Sequence, residues 1–213
     1  MTSTNPPTDQ QVIDQLRAAI TTPDVETERR LHTRLVDAAE RDGVLDVSYR
    51  TIDSPVGSLL LAATPAGLVR IAFDREDHED HEAVLASLAS TISPRMLRAP
   101  TRLDAVASQL DEYFGGRRRV FDLELDLQLA HGFRRTVLTH LLHIAYGETA
   151  SYAMVAAAAG NPAAVRAVGT ACANNPLPLV VPCHRVVRSD GSIGQYLGGQ
   201  DAKHALLAME AAS

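Results

Sequence analysis

Cysteine is scarce in this 213-residue chain: only Cys172 and Cys183 are present. Two thiols cannot complete a four-cysteine zinc site. A disulfide between them is disfavoured in a chain of cytosolic character. The expectation is one reactive thiol and one bystander. Long apolar runs are also missing. No stretch approaches the ~20 residues a membrane span needs, and Met1 to Gln11 lacks the basic-then-apolar layout of a secretory signal. A cytoplasmic protein without membrane association is expected. Strong basicity is absent as well, since the net charge is −6. That argues against a broadly basic nucleic-acid surface. The balance is uneven, however. Residues 1–130 carry 14 Arg and 22 Asp/Glu, a net of −8, whereas residues 131–213 carry 6 Arg/Lys and 4 Asp/Glu, a net of +2. The C-terminal part can sit on phosphate with a modest electrostatic drive. Hydrophobic residues reach 46% and charged residues 22%, which allows a sizeable core and excludes wholesale disorder.

Three regions follow from the patterning: 1–45, 46–128 and 129–213. In the first, Val12, Ile13, Leu16 and Ile20 repeat at helical spacing, as do Leu31, Leu35, Val36 and Ala39. Asp24 is placed to cap the second helix and Gly43 to end it. The second region reads as a small antiparallel sheet with helices. Strands are predicted at 47–52, 58–64 and 68–73, and helices at His78–Ile92 and Arg102–Phe114. Val120 to Leu129 alternates apolar and acidic residues, as an edge strand or an extended linker does. The third region is mostly helical. Phe133 to Ile144 has helical spacing, and Tyr152 to Ala159 is a short helix. After Gly160, Asn161 and Pro162 suit the start of another helix that runs to about Ala173. Two short helices joined by a glycine-containing turn make a helix-turn-helix candidate, although an ordinary helical hairpin has the same spacing. The second helix is slim: Ala163, Ala164, Ala167, Gly169, Thr170 and Ala171 are small, and Arg166 is its only charge. Such a helix approaches another helix closely, or a narrow minor groove with one inserted cation.

The chemistry gathers further on. Asn174 to Pro178 is rigid, Leu179-Val180-Val181 is a short apolar strand-like run, and Pro182-Cys183-His184-Arg185 follows. A free thiol of ordinary pKa ~8.5 is only a few per cent thiolate at neutral pH, and a neighbouring base or positive charge changes that. Adjacent side chains usually point apart, so His184 is expected to act through a bridging water, with Glu210 orienting its ring.

The run from Asn175 to Val187 resembles the active-site signature of the O6-alkylguanine-DNA alkyltransferases. Ser151-Tyr152, Ala159 to Pro162, Ala164 to Gly169, Gly194 to Gly199, Lys203 and Leu206 to Glu210 fall in the same order as in that family. The similarity is strong over 131–213, weaker over 46–128, and absent over 1–45. The resemblance implies irreversible, single-use transfer of a methyl or other alkyl group from O6-alkylguanine in DNA, and from O4-alkylthymine in some cases, to Cys183. His184 and Glu210 would handle the thiol proton, and Asn175 would brace the turn. Tyr152 would assist nucleotide rotation and protonation of the leaving guanine. Arg166 would fill the gap left by the flipped nucleotide, with Ala164, Ala167, Gly169 and Arg185 also against DNA. Val186, Tyr196, Leu197, Gly198 and Lys203 would form the guanine pocket, where the carbonyls of Cys183 and Val186 read the exocyclic amine. The implied partner is double-stranded DNA entered from the minor groove, bound by a monomer, with no cofactor. Leu197 is bulkier than the small residue of many relatives, which implies a narrower pocket. The zinc-binding N-terminal cysteines of some relatives are missing, so no metal is expected. A Cys-His-Glu hydrolase would share the triad but turn over, and a lesion-binding module would not need Cys183.

Overall fold

The computed structural model describes residues 24–74 and 80–212. The helix predicted around Val12–Ile20 lies outside the described residues, as does the beginning of the one predicted from His78. The chain divides into two compact units, Met1–Gly43 and Val44–Ser213. In the first unit, α1 (Val25–Arg41) is capped by the Asp24 carboxylate, which accepts from Thr27 N at 2.7 Å. Gly43 follows with φ +65°, a conformation that favours glycine.

The second unit starts with a four-stranded sheet, β1 (Val47–Ile52), β2 (Leu59–Thr64), β3 (Gly67–Phe73) and β4 (Met96–Arg98), in the order β3-β2-β1-β4. The first three strands are antiparallel, as expected. β4, which no apolar run announces, joins β1 in parallel and makes the sheet mixed. Between β3 and β4 lies α2 (His81–Thr91), and after β4 a 3-10 turn (Pro100–Leu103) leads into α3 (Asp104–Phe114). Both faces of the sheet are covered, which is why β2 is apolar throughout. Leu60 and Ala62 face Val84 and Leu88 of α2, while Leu59 and Leu61 face the main core with Leu103, Val106 and Leu110.

The stretch expected as an edge strand or linker at 120–129 is a linker. It lies along β3: Leu68 N donates to Glu124 O and Asp126 N donates to Leu68 O, both at 2.8 Å. Gly67 permits this approach, because a Cβ there would stand 2.4 Å from the Glu124 carbonyl oxygen. Further along the same edge, Ile71 N donates to Pro176 O at 2.8 Å. Edge strand β3 thus holds both the linker and the rigid turn of the C-terminal half.

The C-terminal half is helical: α4 (Gly132–Leu141), α5 (Tyr152–Ala158), α6 (Val165–Ala173) and α7 (Gly199–Ala211), with two-residue strands β5 (Ala150–Ser151) and β6 (Val186–Val187) paired in parallel. Ser151 caps α5 by accepting from Met154 N. α6 begins later than Asn161-Pro162 suggests, since residues 161–164 form a turn closed by Ala164 N on Asn161 O. Residues 178–180 form a turn instead of the expected strand. No described helix is long and apolar enough to cross a membrane.

Candidate active site

The turn between α6 and β6 is organised by one side chain. Asn175 Oδ1 accepts from Leu177 N at 3.0 Å, and Nδ2 donates to Val181 O at 2.8 Å and to Cys183 Sγ at 3.1 Å. Buried Leu179 is held at φ +75°, a left-handed conformation that costs a branched residue about 1 kcal/mol or more and persists only when the surroundings enforce it. Proline on either side of Leu179-Val180-Val181 shortens the choices further. The chain then enters a single 3-10 turn, Cys183–Arg185, whose three side chains are all buried.

Cys183 is 2% exposed. Burial pushes its thiol up to about 11, against the opposing pull of the Asn175 amide and the charge of Lys203. The resting protein therefore holds a thiol, not a thiolate, at neutral pH. Positive surroundings moderate the ionisation cost without overcoming burial.

Behind the cysteine lies a fully buried ionic cluster. His184 Nε2 is 3.0 Å from Glu210 Oε1. Arg185 grips both carboxylate oxygens, Nε on Oε2 at 2.8 Å and an outer nitrogen on Oε1 at 2.9 Å. The Tyr113 hydroxyl donates to Oε1 at 2.6 Å, and Gly147 N donates to Oε2 at 3.3 Å. Gly147 has φ +77°, and a Cβ there would come within 3.2 Å of Glu210 O. So many donors hold the Glu210 carboxyl well below the usual range despite its burial. His184 goes the other way: burial keeps it below 6.5 even with Glu210 beside it. With Nε2–H directed at Glu210, the second ring nitrogen Nδ1 is an acceptor, buried and without a protein partner. Sγ therefore makes no direct hydrogen bond to the imidazole.

A cavity of about 610 Å³ opens between α5, α6 and the loop before α7, lined by Tyr152, Arg166, Gly169, Tyr196 and Leu197 among others. Arg166 is exposed at the start of α6. Tyr152 is half-buried, and burial together with the charges of Cys172 and Cys183 raises its phenol, so it stays protonated. A Cβ on Gly194 would stand 2.7 Å from the Tyr152 hydroxyl, so the loop packs closely over the ring and a side chain there would displace the phenol.

The residues named from sequence divide accordingly. Cys183, His184, Glu210 and Asn175 converge in one cluster, and Tyr152, Arg166, Gly169, Tyr196 and Leu197 line one cavity. Ala164 and Ala167 lie on α6 or at its start but outside that lining. Three assigned residues are placed differently from expectation, and a fourth, Val186, already has one partner. Arg185 is not a surface cation; it is 6% exposed and pairs with Glu210. Lys203 does not line the pocket; it is fully buried and donates to Val186 O at 2.6 Å. Val186 is buried in β6, and its carbonyl accepts from that ammonium with a second lone pair remaining. Gly198 packs against the Phe73 ring, where a Cβ would come within 2.8 Å, and sets the loop on β3 without entering the cavity. Tyr113 was missed. It reads as one more apolar position beside Val106 and Leu110, yet a buried tyrosine needs a partner for its hydroxyl, and that need was the available signal.

Fold and site together define a protein in which a small mixed sheet and a helical half share one core, with a buried thiol in the turn that carries a histidine–glutamate pair. Residues 47–127 match the family model "6-O-methylguanine DNA methyltransferase, ribonuclease-like domain", and residues 132–212 match "6-O-methylguanine DNA methyltransferase, DNA binding domain". The chain belongs to the 6-O-methylguanine DNA methyltransferase family. Among relatives, the methylated-DNA–protein-cysteine methyltransferase of Mycolicibacterium paratuberculosis is 40% identical over 77% of this chain and 92% of its own length. That of Mus musculus is 39% identical over 77% and 81%. The crystal structure of Mycobacterium tuberculosis O6-methylguanine methyltransferase superposes with a TM-score of 0.68 at 38% identity, over 78% of this chain and 93% of that one. A structure of the Mycobacterium tuberculosis protein in complex with DNA gives the same score, identity and coverage.

Proposed function

We propose that this protein repairs double-stranded DNA by moving the alkyl group of O6-alkylguanine, and of O4-alkylthymine where it fits, irreversibly onto Cys183. The single observation that carries this is the buried Cys183 thiol, held by the Asn175 amide in the same turn as His184, whose imidazole meets the Glu210 carboxylate. The alkylated base cannot react inside the stack, so it must rotate out, at a cost of a few kcal/mol. Slim α6 enters the minor groove, and Arg166 occupies the space left behind. Tyr152, Tyr196 and Leu197 enclose the extruded base. The helical half, 129–213, contacts DNA and carries the chemistry; 46–128 is its scaffold.

Chemically, the Sγ–H bond breaks as the proton passes to His184 Nδ1 through a water. Sγ attacks the alkyl carbon, an S–C bond forms, and the C–O6 bond breaks. The guanine is protonated as it leaves, with the Tyr152 phenol as donor; the phenolate then regains a proton from solvent as the His184 imidazolium releases its own, so the net change moves one proton from the thiol to guanine. Glu210 supports the transient imidazolium, and Asn175 with Lys203 supports the transient thiolate. Burial keeps the thiolate from forming before a base arrives. No group in the cluster is disposed to break the resulting thioether, so each molecule acts once. We assign a cytoplasmic location and a monomer.

Methylated-guanine duplex in tenfold excess tests this. Product should rise to one equivalent of protein and stop. Continued turnover would replace the proposal with a hydrolase, and binding without product would replace it with a lesion-recognition module.

A further inference from the structure

Tyr113 lies on α3, in the stretch matched by the ribonuclease-like model, yet its hydroxyl reaches across the core to the α7 carboxylate. Its oxygen is 2.6 Å from Glu210 Oε1 and 3.4 Å from His184 Nε2, so Tyr113, Glu210 and His184 form a closed triangle of polar atoms. A tyrosine buried only for packing needs no more than a backbone carbonyl as its partner. Here the partner is the same oxygen that holds the imidazole. We infer that Tyr113 is a positioning residue for alkyl transfer: by donating to Glu210 Oε1 it fixes the carboxylate against His184 and restrains the basicity of that imidazole.

The physical reason is competition for one oxygen. Charge on Oε1 that is satisfied by a phenol O–H is less available to the Nε2–H of an imidazolium. The other groups facing His184 are Arg185 from its own turn and Lys203 from α7, which both oppose its protonation, and Glu210, which favours it. Cys183 is its neighbour in the turn, and the Tyr196 ring stands at 6.1 Å between centroids. Tyr146 supports the arrangement from behind: its ring meets Tyr113 at 6.1 Å and carries the Arg185 guanidinium at 5.7 Å. The N-terminal half thereby acts on the chemistry of the C-terminal half through a single hydroxyl. This rests on the proposal that His184 takes the Cys183 proton.

Tyr113→Phe removes the oxygen and keeps the ring among Phe114, Phe121 and Tyr146. In the full chain, the His184 imidazole is titrated by nitrogen-15 NMR, assigned with His184→Gln, and the transfer rate from methylated duplex is followed against pH. Both the His184 midpoint and the acid limb of the rate should rise by about half a pH unit, with the plateau rate within a few-fold of the parent. A lower melting temperature with both midpoints unmoved would overturn the inference. Should that variant not fold, 3-fluorotyrosine at position 113, a stronger donor of the same shape, must lower both midpoints, and unmoved midpoints would again overturn it. A parent protein that transfers nothing sinks the proposed function, while the His184 titration still decides the role of Tyr113.

Discussion

Cys172 and Cys183 are both buried, and each feels the charge of Lys203, yet their surroundings differ in a way that separates a nucleophile from a bystander. Cys172 sits within α6, where its thiol is driven far above its usual range by burial and by the charge of Cys183. Cys183 sits at the opening of a 3-10 turn, where the Asn175 amide donates to its sulfur and the adjacent residue is a histidine tied to a carboxylate. Burial by itself silences a thiol. What distinguishes Cys183 is a set of donors that favours the anion and a base that removes the proton, supplied by a turn and not by a helix.

The sharpest way to erase this contrast is to remove Glu210. Glu210→Ala leaves Arg185 buried and unpaired and His184 without its anchor, an expected loss of about 3–5 kcal/mol, readable as a large drop in urea midpoint together with loss of transfer. A stability within experimental error of the parent would mean the cluster contributes little. Next comes Asn175. Asn175→Ala deletes three hydrogen bonds that the turn uses; a loss of about 1–3 kcal/mol is expected, with the reactive-thiol titration of Cys183 displaced upward, towards that of Cys172. A titration that stays in place would show that the amide does not support the anion. Arg166→Ala acts on the front of the site only. It should slow repair of duplex by about tenfold, near 1.4 kcal/mol, and leave reaction with a free-base analogue almost unchanged; equal losses would contradict its role in extrusion.

The smallest effect is one of pH on stability. His184 lies below 6.5 when folded, so on acidification the unfolded chain takes up its proton first. Its contribution is complete above about pH 6.5 and declines beneath it. Glu210 lies below 4.5 when folded, so its contribution is complete above that value and is lost as pH falls further. Melting temperature should therefore fall gently below pH 6.5 and more steeply below 4.5. A flat profile from 6.5 to 4.5 would mean that His184 is not held neutral.

Much of this was legible from residue order. Strand 47–52 follows alternation, strand 68–73 follows an apolar run after the Pro65-Ala66-Gly67 turn, α3 follows the spacing of Val106 and Leu110, and the cluster of Cys183, His184, Asn175 and Glu210 follows from the order of parts around one cysteine. Less legible was anything set by tertiary packing. Arg185 looks like a cation for phosphate until Glu210 arrives from α7. Lys203, the only lysine in the chain, looks like a pocket residue until it turns inward to Val186. β4 is too short and too exposed to carry a pattern. The Leu179 turn hides because its left-handed backbone contradicts the strand preference of its neighbours; the Asn175 side chain and the Val181 N to Leu177 O hydrogen bond hold it.

The contrast between the two thiols can be read directly by mass. The protein is incubated with duplex carrying a single methylated guanine, digested, and the peptides containing Cys172 and Cys183 are weighed. The account predicts one added methyl on the Cys183 peptide, up to one equivalent, and none on the Cys172 peptide. Methyl on Cys172, or no methyl on Cys183, would contradict it.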